Sequence, residues 1–387
     1  MNPLSILGAM VIGTASLLSL GVLPILLGGL DEVGRLSKAG IGQAAMFELF
    51  GLALGSAAGG YWMARGAMRL KTVAAGLALA VVNVATAHSG SEAMILLDRA
   101  IAGLLGGLLF GAANAIIVRA NNPDRLTGIL VGASVVPQIC LAYLIPVVLI
   151  PKFGIEAGFY TLAAGALVAA AFAITLVDRV APQAASDRSR IPISSPLVLF
   201  CVGTILQSGG LGAAWTYIER VANQHGLSPS AVGLAFSSAL AGQVAAAWLS
   251  AWLVPKVAKW PTLFSLVLAQ TVFTAVAVQI AIPTAFVFSV CVFASAAAAA
   301  QAFQMAEIVR LDTTRNAAVL ILPMILFGNG LGPLLASFAT TDIDVLGGCW
   351  VAVAMSATSL LLYVVCAAIS ARRRMPSAVE AEATPGR

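Results

Sequence analysis

Charged residues are scarce in this chain: only 10% of its 387 residues are Asp, Glu, Lys or Arg, against roughly 25% in an average soluble protein. Apolar residues make up 60% of the sequence, too many for a soluble protein of this length to bury. Much of the surface must therefore face lipid. The net charge of +5 is spread over short segments between apolar runs, which excludes a basic nucleic-acid-binding patch and predicts no nucleic-acid partner.

Histidine and paired cysteines, the usual marks of metal and catalytic sites, are almost missing. The two histidines, His88 and His225, stand apart near predicted helix ends, so no HExxH motif exists. The five cysteines lie inside apolar runs without CxxC spacing. No P-loop or nucleophile elbow is present either. We therefore predict no metal site, no cofactor and no enzymatic activity.

Twelve apolar runs are the dominant positive feature, and nearly all exceed the ~20 residues that one membrane crossing needs. The runs cover residues 4–29, 39–63, 70–88, 93–118, 126–150, 157–177, 197–218, 230–254, 261–281, 283–308, 317–339 and 345–371. They predict an all-α polytopic membrane protein with twelve transmembrane helices in two six-helix bundles.

The longest polar stretch before the C-terminus, DRVAPQAASDRSRIPISS at 178–195, divides the chain into nearly equal halves. Its charges, prolines and serines are typical of a linker between two bundles. We accordingly predict four segments. They are an N-terminal bundle at 1–178, a cytoplasmic linker at 179–196, a C-terminal bundle at 197–371 and a cytoplasmic tail at 372–387.

An internal repeat supports two related halves. The segment LSKAGIG at 36–42 matches LSPSAVG at 227–233, an offset of 191 residues (227 minus 36). Further pairs at this offset are Gly51 with Gly242, Arg65 with Lys256, and Arg119 with Arg310. Within the matched segments, Ser37 and Ser228 suit helix N-caps and Pro229 suits a first helical turn.

The distribution of basic residues sets the expected orientation. If both termini are cytoplasmic, sixteen of the 21 Lys and Arg residues fall in inner segments. Only four, Arg35, Lys38, Lys152 and Arg220, fall in outer loops, and Arg99 lies inside a run. Cytoplasmic segments of membrane proteins carry an excess of Lys and Arg. We therefore expect a multi-pass protein of the inner (plasma) membrane with both termini in the cytoplasm.

Two short motifs resemble those of the major facilitator superfamily. The stretch GYWMARGAMR at 60–69 is similar to the family's Gly-rich basic loop between helices two and three, with Ala64 where the family places an acidic residue. Helix four carries RAIAG at 99–103, which matches the family's Arg-xxx-Gly pattern. Helix five has Pro137 but not the Gly-Pro pair of drug/proton antiporters. Together with twelve helices, a central linker and the repeat, the resemblance covers essentially the whole chain.

The resemblance implies a permease whose two bundles rock about a central site. In the family, the first, fourth, seventh and tenth helices line the cavity, while the second, fifth, eighth and eleventh gate it. Binding near the membrane midplane between repeats lets one site serve both faces.

Ionisable residues inside a bilayer are costly and mark function by default. Glu48 is predicted ~16 Å into the second helix at about 1.5 Å per residue, and we treat it as a candidate proton carrier together with Asp98 and Arg99. Because adjacent helical residues diverge by about 100°, we expect Asp98 and Arg99 not to pair with each other. Arg99 is then free for Glu48, for a substrate carboxylate or for polar groups on helix one. A static ion pair is the structural alternative. Glu307, three residues before Arg310, fits an ordinary helix-end pair.

Two further residue sets are candidates for recognition and for movement. Candidate substrate-binding residues are Arg99, Asn114, Gln138, Gln207, Trp215, Tyr217, Gln301 and Gln304. Candidates for helix packing or gating are Gly51, Gly55, Gly59, Gly103, Gly107, Gly332 and Pro333. The polar set equally suits interhelical hydrogen bonding, and the glycines suit close helix packing.

The sequence thus favours a monomeric secondary active transporter that moves a small organic solute by alternating access, coupled to H+. An exporter of drugs or toxic metabolites with the same fold is one alternative. A membrane receptor or assembly factor that does not transport is another. The expected partners are a small-molecule substrate, protons and the lipid bilayer.

Overall fold

The computed structural model describes residues 2–63, 66–178, 194–312, 321–341 and 344–372, and within them all regular structure is helical. Twelve helices, numbered in chain order, follow the predicted runs. They are α1 Pro3–Glu32, α2 Lys38–Trp62, α3 Met68–His88, α4 Glu92–Ile117, α5 Pro123–Leu144, α6 Glu156–Ala173, α7 Ser195–Gln224, α8 Pro229–Leu253, α9 Lys259–Gln279, α10 Pro283–Leu311, α11 Ile321–Ser337 and α12 Leu346–Arg372.

Eleven helices in the described residues are long and apolar enough to cross a membrane. One of these spans is α5, which continues through a π-helical stretch, Ile145–Leu149, into Ile150–Phe153. The twelfth, α11, has 17 described residues, and the predicted run began inside the undescribed segment 313–320. The chain is a multi-pass membrane protein, as predicted.

Several predicted features fall where the structure gives no description. Most of the predicted linker and nearly all of the tail, residues 179–193 and 373–387, lie outside the described residues, as do Ala64 and Arg65. The described chain resumes just before α7. We refer below to α1–α6 as the N-terminal half and to α7–α12 as the C-terminal half.

The two predicted helix caps are confirmed. The Ser37 hydroxyl accepts the backbone N–H of Gly40 at 2.9 Å at the start of α2. The Ser228 hydroxyl does the same for Ala231 at 3.3 Å at the start of α8, and Pro229 occupies the first helical position. Each cap satisfies an N–H that the first turn would otherwise leave unpaired.

The glycine rows of α2 and α4 face each other inside the N-terminal half. A Cβ placed on Gly55 would fall against the carbonyl oxygen of Leu104, and one on Gly103 against that of Glu48. Only glycine lets the two backbones come this close. Gly51, Gly59 and Gly107 make the same kind of contact between these helices. The α2 row is therefore a packing surface within one half rather than a surface that slides against the other half.

The halves meet along helices that the repeat relates to one another. The helix α2 packs against α11, α8 packs against α5, and α1 packs against α7. The offset of 191 residues converts α2 into α8 and α5 into α11, so the first two contacts are repeats of each other. We call the end of the bundle at residues 31–38 and 217–228 the closed end. The opposite end, which holds residues 178 and 194, is the linker end.

Candidate functional site

A cavity of about 270 Å³ lies between the two halves. Its size is near the lower limit of the ~300–1,000 Å³ typical of small-molecule pockets. Helices α1, α2, α5, α7, α8 and α11 supply its walls. The lining residues are Leu17, Leu20, Leu23, Pro24, Ala45, Leu49, Ser134, Val135, Gln138, Leu211, Gly212, Trp215, Thr216, Leu240, Gln243, Leu326 and Asn329.

The wall of this central cavity is mostly aliphatic, and its polar groups are all neutral. None of the described residues that line it carries a charge. Asn329 and Gln243, two of the amides, form no side-chain hydrogen bond within the described chain, and the carbonyl oxygen of Asn329 is buried. A third amide, Gln138, donates to the backbone carbonyl of Ser134 at 2.9 Å. The cavity therefore offers unpaired amides within apolar walls.

Trp215 ties the two halves together beside the cavity. Pro24 interrupts α1 and has no N–H to donate to the carbonyl four residues earlier, that of Leu20. The indole N–H of Trp215 donates to that same carbonyl at 3.2 Å. At the repeat offset (24 plus 191), Trp215 stands where α1 has Pro24. The C-terminal half thus satisfies a carbonyl that a proline in the N-terminal half leaves free.

Tyr217 makes a second connection between the halves, nearer the closed end. Its hydroxyl donates to the carbonyl oxygen of Lys38 at 3.0 Å and accepts the N–H of Gly42 at 3.1 Å. A Cβ on Gly42 would fall against the carbonyl oxygen of Pro333 in α11. Gly42 and Pro333 are therefore in close contact across the interface, while Gly332 packs against Gly209 of α7 within the C-terminal half.

A cluster of charges covers the closed end. Arg220 is buried and donates to Asp31 at 3.2 Å, to Glu32 at 2.8 Å and to Glu219 at 2.5 Å. Two of these acids end α1, where the negative end of the helix dipole makes carboxylates unfavourable without a cation. Asn223 adds hydrogen bonds to Glu32 and Glu219 at 2.8 Å each. This cluster joins α1 to α7.

The prediction that Arg220 lies in an outer loop is wrong. Helix α7 continues to Gln224, about six residues beyond the predicted end of its apolar run at 218. Glu219 and Arg220 bond to each other there, so the helix tolerates both charges at a buried position. A signal in the sequence could have predicted this contact. The acidic pair at 31–32 and the Glu-Arg pair at 219–220 lie near helix ends that the repeat offset relates.

Glu48 and Arg99 meet in the core of the N-terminal half. The guanidinium Nη1 of Arg99 lies 3.5 Å from Glu48 Oε2, and Nη2 donates to Asn83 at 3.1 Å and to Thr86 at 2.6 Å. Arg99 is fully buried and its guanidinium carbon lies 5.3 Å from the centre of the Phe159 ring. The structure therefore brings these two residues together. Neither of them lines the central cavity.

The other two predicted acids are elsewhere. Asp98 accepts a hydrogen bond from the Ser89 hydroxyl at 2.6 Å, near the junction of α3 and α4. It is not part of the Glu48–Arg99 pair. Glu307 is buried and lies 3.2 Å from Arg310 on the next turn of α10, the helix-end geometry expected from the spacing.

Two of the predicted polar residues, Gln207 and Gln304, belong to a buried network inside the C-terminal half. Gln207 donates to Gln270 at 2.6 Å and accepts from Gln304 at 3.1 Å. Gln304 also donates to Tyr363 at 2.9 Å. These side chains face each other rather than the central cavity, and they hold α7, α9, α10 and α12 together.

The eight predicted substrate-binding residues therefore divide into separate groups. Only Gln138 and Trp215 line the central cavity. Tyr217 connects the halves, Gln207 and Gln304 form the network, and Arg99 pairs with Glu48. Asn114 and Gln301 are half-buried and do not line the cavity. Gln243 and Asn329 also line the cavity but were not predicted from the sequence. Asn329 lies in the glycine-rich segment GNGLG, at 328–332 in α11.

The chain matches known proteins in its structure. No protein-family model and no curated protein matches the chain. A structure of the nucleoside transporter NupG matches with a TM-score of 0.77 at 13% identity, covering 94% of this chain and 99% of that one. The fold is that of the major facilitator superfamily.

Two further transporters of this superfamily extend the likeness. A bacterial homologue of the human lysosomal transporter Spinster, in an inward-facing and occupied conformation, matches with a TM-score of 0.75 at 18% identity, covering 96% of this chain and 98% of that one. A partially occluded, inward-open structure of the xylose transporter XylE from E. coli gives 0.64 at 14% identity, covering 92% and 98%. Identities this low show the fold alone.

Proposed function

We propose that the chain is a secondary active transporter that moves an uncharged small organic solute by alternating access, driven by protons through Glu48. The observation that carries this proposal is the central cavity between two repeat-related halves, covered at one end by hydrogen bonds and ion pairs that run between the halves. Breaking those contacts would open the cavity on the other side.

The cavity chemistry supports a neutral solute with both apolar and hydrogen-bonding parts. A charged ligand would have to leave water for a wall whose described residues supply no countercharge, which is costly. The unpaired amide groups of Asn329 and Gln243 offer donors and acceptors instead. We assign Arg99 to Glu48 rather than to a substrate carboxylate, since Arg99 is buried outside the cavity. Nucleosides and xylose, the solutes named for two neighbours in fold, are uncharged.

The coupling role rests on the position of Glu48. This carboxylate is 3% exposed, and Arg99, at 3.5 Å, is the one cation paired with it among the described residues. We assign the coupling proton to this carboxylate because it is buried inside a span and has only this long contact to a cation. The helix that carries Glu48, α2, packs against α11 of the other half, which links protonation of Glu48 to the movement of the halves.

Orientation follows from the basic residues at the linker end. Placing that end in the cytoplasm of the plasma membrane, with both termini on the same side, satisfies the positive-inside distribution. The closed end then faces outward, and we assign the structure to an inward-facing state. The likeness in fold to an inward-facing structure of the Spinster homologue supports this assignment.

The test is transport by purified protein in liposomes with an imposed pH gradient, using labelled uridine, D-xylose and chloramphenicol as neutral probes. We expect at least one probe to accumulate against its gradient and to be released by an uncoupler. In Glu48→Gln, accumulation should be lost while exchange of the probe across the membrane persists. Glu307→Gln, which alters an equally buried acid in the other half, should accumulate normally. Flux no different from empty liposomes for every probe would contradict transport.

An exporter of lipophilic compounds is the second candidate, and the largely aliphatic cavity wall favours it. The same liposomes decide between the two directions. Accumulation of chloramphenicol in exchange for protons, without accumulation of uridine or D-xylose, would favour the exporter.

A further inference from the structure

A second, much smaller cavity lies beside Glu48 within the N-terminal half. Its volume is about 20 Å³, and a buried water needs ~10–15 Å³ on this measure. The space is therefore large enough for about one water molecule. Its lining includes Ser16, Ser19, Leu20, Glu48, Asn83 and Gly106.

The polar groups of this small cavity are sufficient to hold a water. Glu48 accepts only the long contact from Arg99, which leaves lone pairs of its carboxylate available. Ser19 forms no hydrogen bond within the described chain, and the Ser16 hydroxyl, which donates to Gly13 at 2.8 Å, can still accept. A buried water normally has two to four such partners. The site therefore meets the chemical requirement as well as the size requirement.

A break in α1 separates the small cavity from the central one. The helix runs as Pro3–Ser16 and Leu18–Glu32, and the backbone of Leu17 between them has φ −98° and ψ 2°. Leu17 lines the central cavity, Ser16 lines the small one, and Leu20 lines both. The wall between solute and carboxylate is thus about one helix thick, at the point where that helix is discontinuous.

We propose that this small cavity holds one water molecule that relays the coupling proton between the central cavity and Glu48. A protonated water at the break in α1 beside Leu17 gives its proton to the held water, which passes one of its own protons to the Glu48 carboxylate. The held water ends unchanged, and Glu48 becomes a neutral acid. Arg99 from α4, with Asn83 and Thr86 from α3 behind it, keeps its charge throughout. The inference rests on the proposed coupling role of Glu48.

Gly106 offers a way to fill the small cavity. A Cβ at this position would lie 3.3 Å from the carbonyl oxygen of Ser16 and 3.6 Å from Leu52, a close fit that small shifts can relieve. Gly106→Ala therefore puts a methyl group where the water would be. Gly90→Ala is the matched control, because nothing lies within 4 Å of its added Cβ. Ser19→Val removes a hydroxyl from the site, and Ser19→Thr keeps it.

Infrared difference spectroscopy tests the relay without a known solute. The carbonyl stretch of protonated Glu48 is identified by its loss in Glu48→Gln, and its rate of shift in D2O reports water access. We expect Gly106→Ala and Ser19→Val to slow that shift about tenfold or more, while Gly90→Ala and Ser19→Thr match the wild type. Wild-type rates in both Gly106→Ala and Ser19→Val would overturn the relay. If the wild type shows no carbonyl band that Glu48→Gln removes, the coupling role itself is wrong.

Discussion

The indole N–H of Trp215 donates a 3.2 Å hydrogen bond to the carbonyl oxygen of Leu20, the carbonyl that Pro24 leaves without a helical partner. A residue of the C-terminal half thus completes the backbone hydrogen bonding of the N-terminal half. Inside a membrane an unpaired carbonyl is costly, so the hydrogen bond from Trp215 to Leu20 stabilises the contact between the halves at this level. The same contact must be broken for the closed end to open.

Trp215→Phe removes this hydrogen bond while keeping an aromatic ring against Phe236. Loss of this hydrogen bond should destabilise the closed conformation by a net ~1 kcal/mol, which raises the equilibrium constant for opening by about fivefold. The measurement is the labelling rate of Leu23→Cys, in the cavity wall, by an impermeant maleimide added from the closed-end side. Native cysteines are first replaced. The control, Trp248→Phe, changes an indole that is 70% exposed, and labelling in it should match the parent.

Arg220→Gln should open the closed end further than Trp215→Phe does. Removing this cation leaves Asp31, Glu32 and Glu219 close together without their shared partner. Removing one member of a buried pair typically costs ~3–5 kcal/mol, and part of that cost falls on the closed conformation alone. Labelling of Leu23→Cys should therefore rise by about tenfold or more.

Arg35→Gln is the matched control for Arg220→Gln. Arg35 also pairs with a carboxylate at the closed end, at 2.5 Å, but its partner Glu156 belongs to the same half. Labelling should stay within about twofold of the parent, because this half-buried pair does not join the two halves. Equal effects of the two substitutions would mean that the cluster around Arg220 does not hold the halves together.

Gly42 and Gly55 are both closely packed glycines of α2, yet their substitution should have different effects. In Gly42→Ala the new methyl meets Pro333 and Tyr217 of the other half, so it should push the halves apart and raise Leu23→Cys labelling with little change in yield. In Gly55→Ala the methyl meets Leu104 within the same half, so it should lower yield and thermal stability. The reverse pattern would contradict the assignment of these two surfaces.

The fold could be predicted from the sequence because membrane helices are specified by local composition. Apolar runs bounded by charge, Gly and Pro gave twelve helices, and Ser37 and Ser228 gave two of their starts. Helix α7 was predicted too short because Glu219 and Arg220 look like loop residues until their partners on α1 are known. A charge can lie inside a helix end when another segment supplies the countercharge, and linear sequence does not show that contact.

The candidate site was harder to predict for a related reason. Glu48 and Arg99 stood out because a charge within an apolar run is rare, and the structure places them together. Glutamine carries no such signal: Gln138 lines the central cavity, whereas Gln207 binds other side chains of its own half. Which face of a helix meets the cavity depends on packing between the halves. Asn329 was missed for that reason.

The charges of Glu48 and Arg99 should stabilise the protein only when both are present. Arg99→Met leaves the Glu48 carboxylate buried without its cation, an arrangement that typically costs ~3–5 kcal/mol. Adding Glu48→Gln to that variant removes the unbalanced charge and should recover most of the loss. Thermal unfolding of the purified single and double variants measures this. A double variant no more stable than Arg99→Met would show that Arg99 acts mainly through Asn83 and Thr86.

Alternating access, the central claim, is tested most directly by spin-label distances at both ends of the protein. One pair, Val33→Cys with Ser230→Cys, spans the halves at the closed end, and a second, Thr127→Cys with Ala251→Cys, spans α5 and α8 at the linker end. Each pair should show two distance populations in lipid nanodiscs. In Arg220→Gln the closed-end pair should shift to its longer distance while the linker-end pair shifts to its shorter one. A single unchanged distance at both ends, or lengthening at one end without shortening at the other, would contradict alternating access.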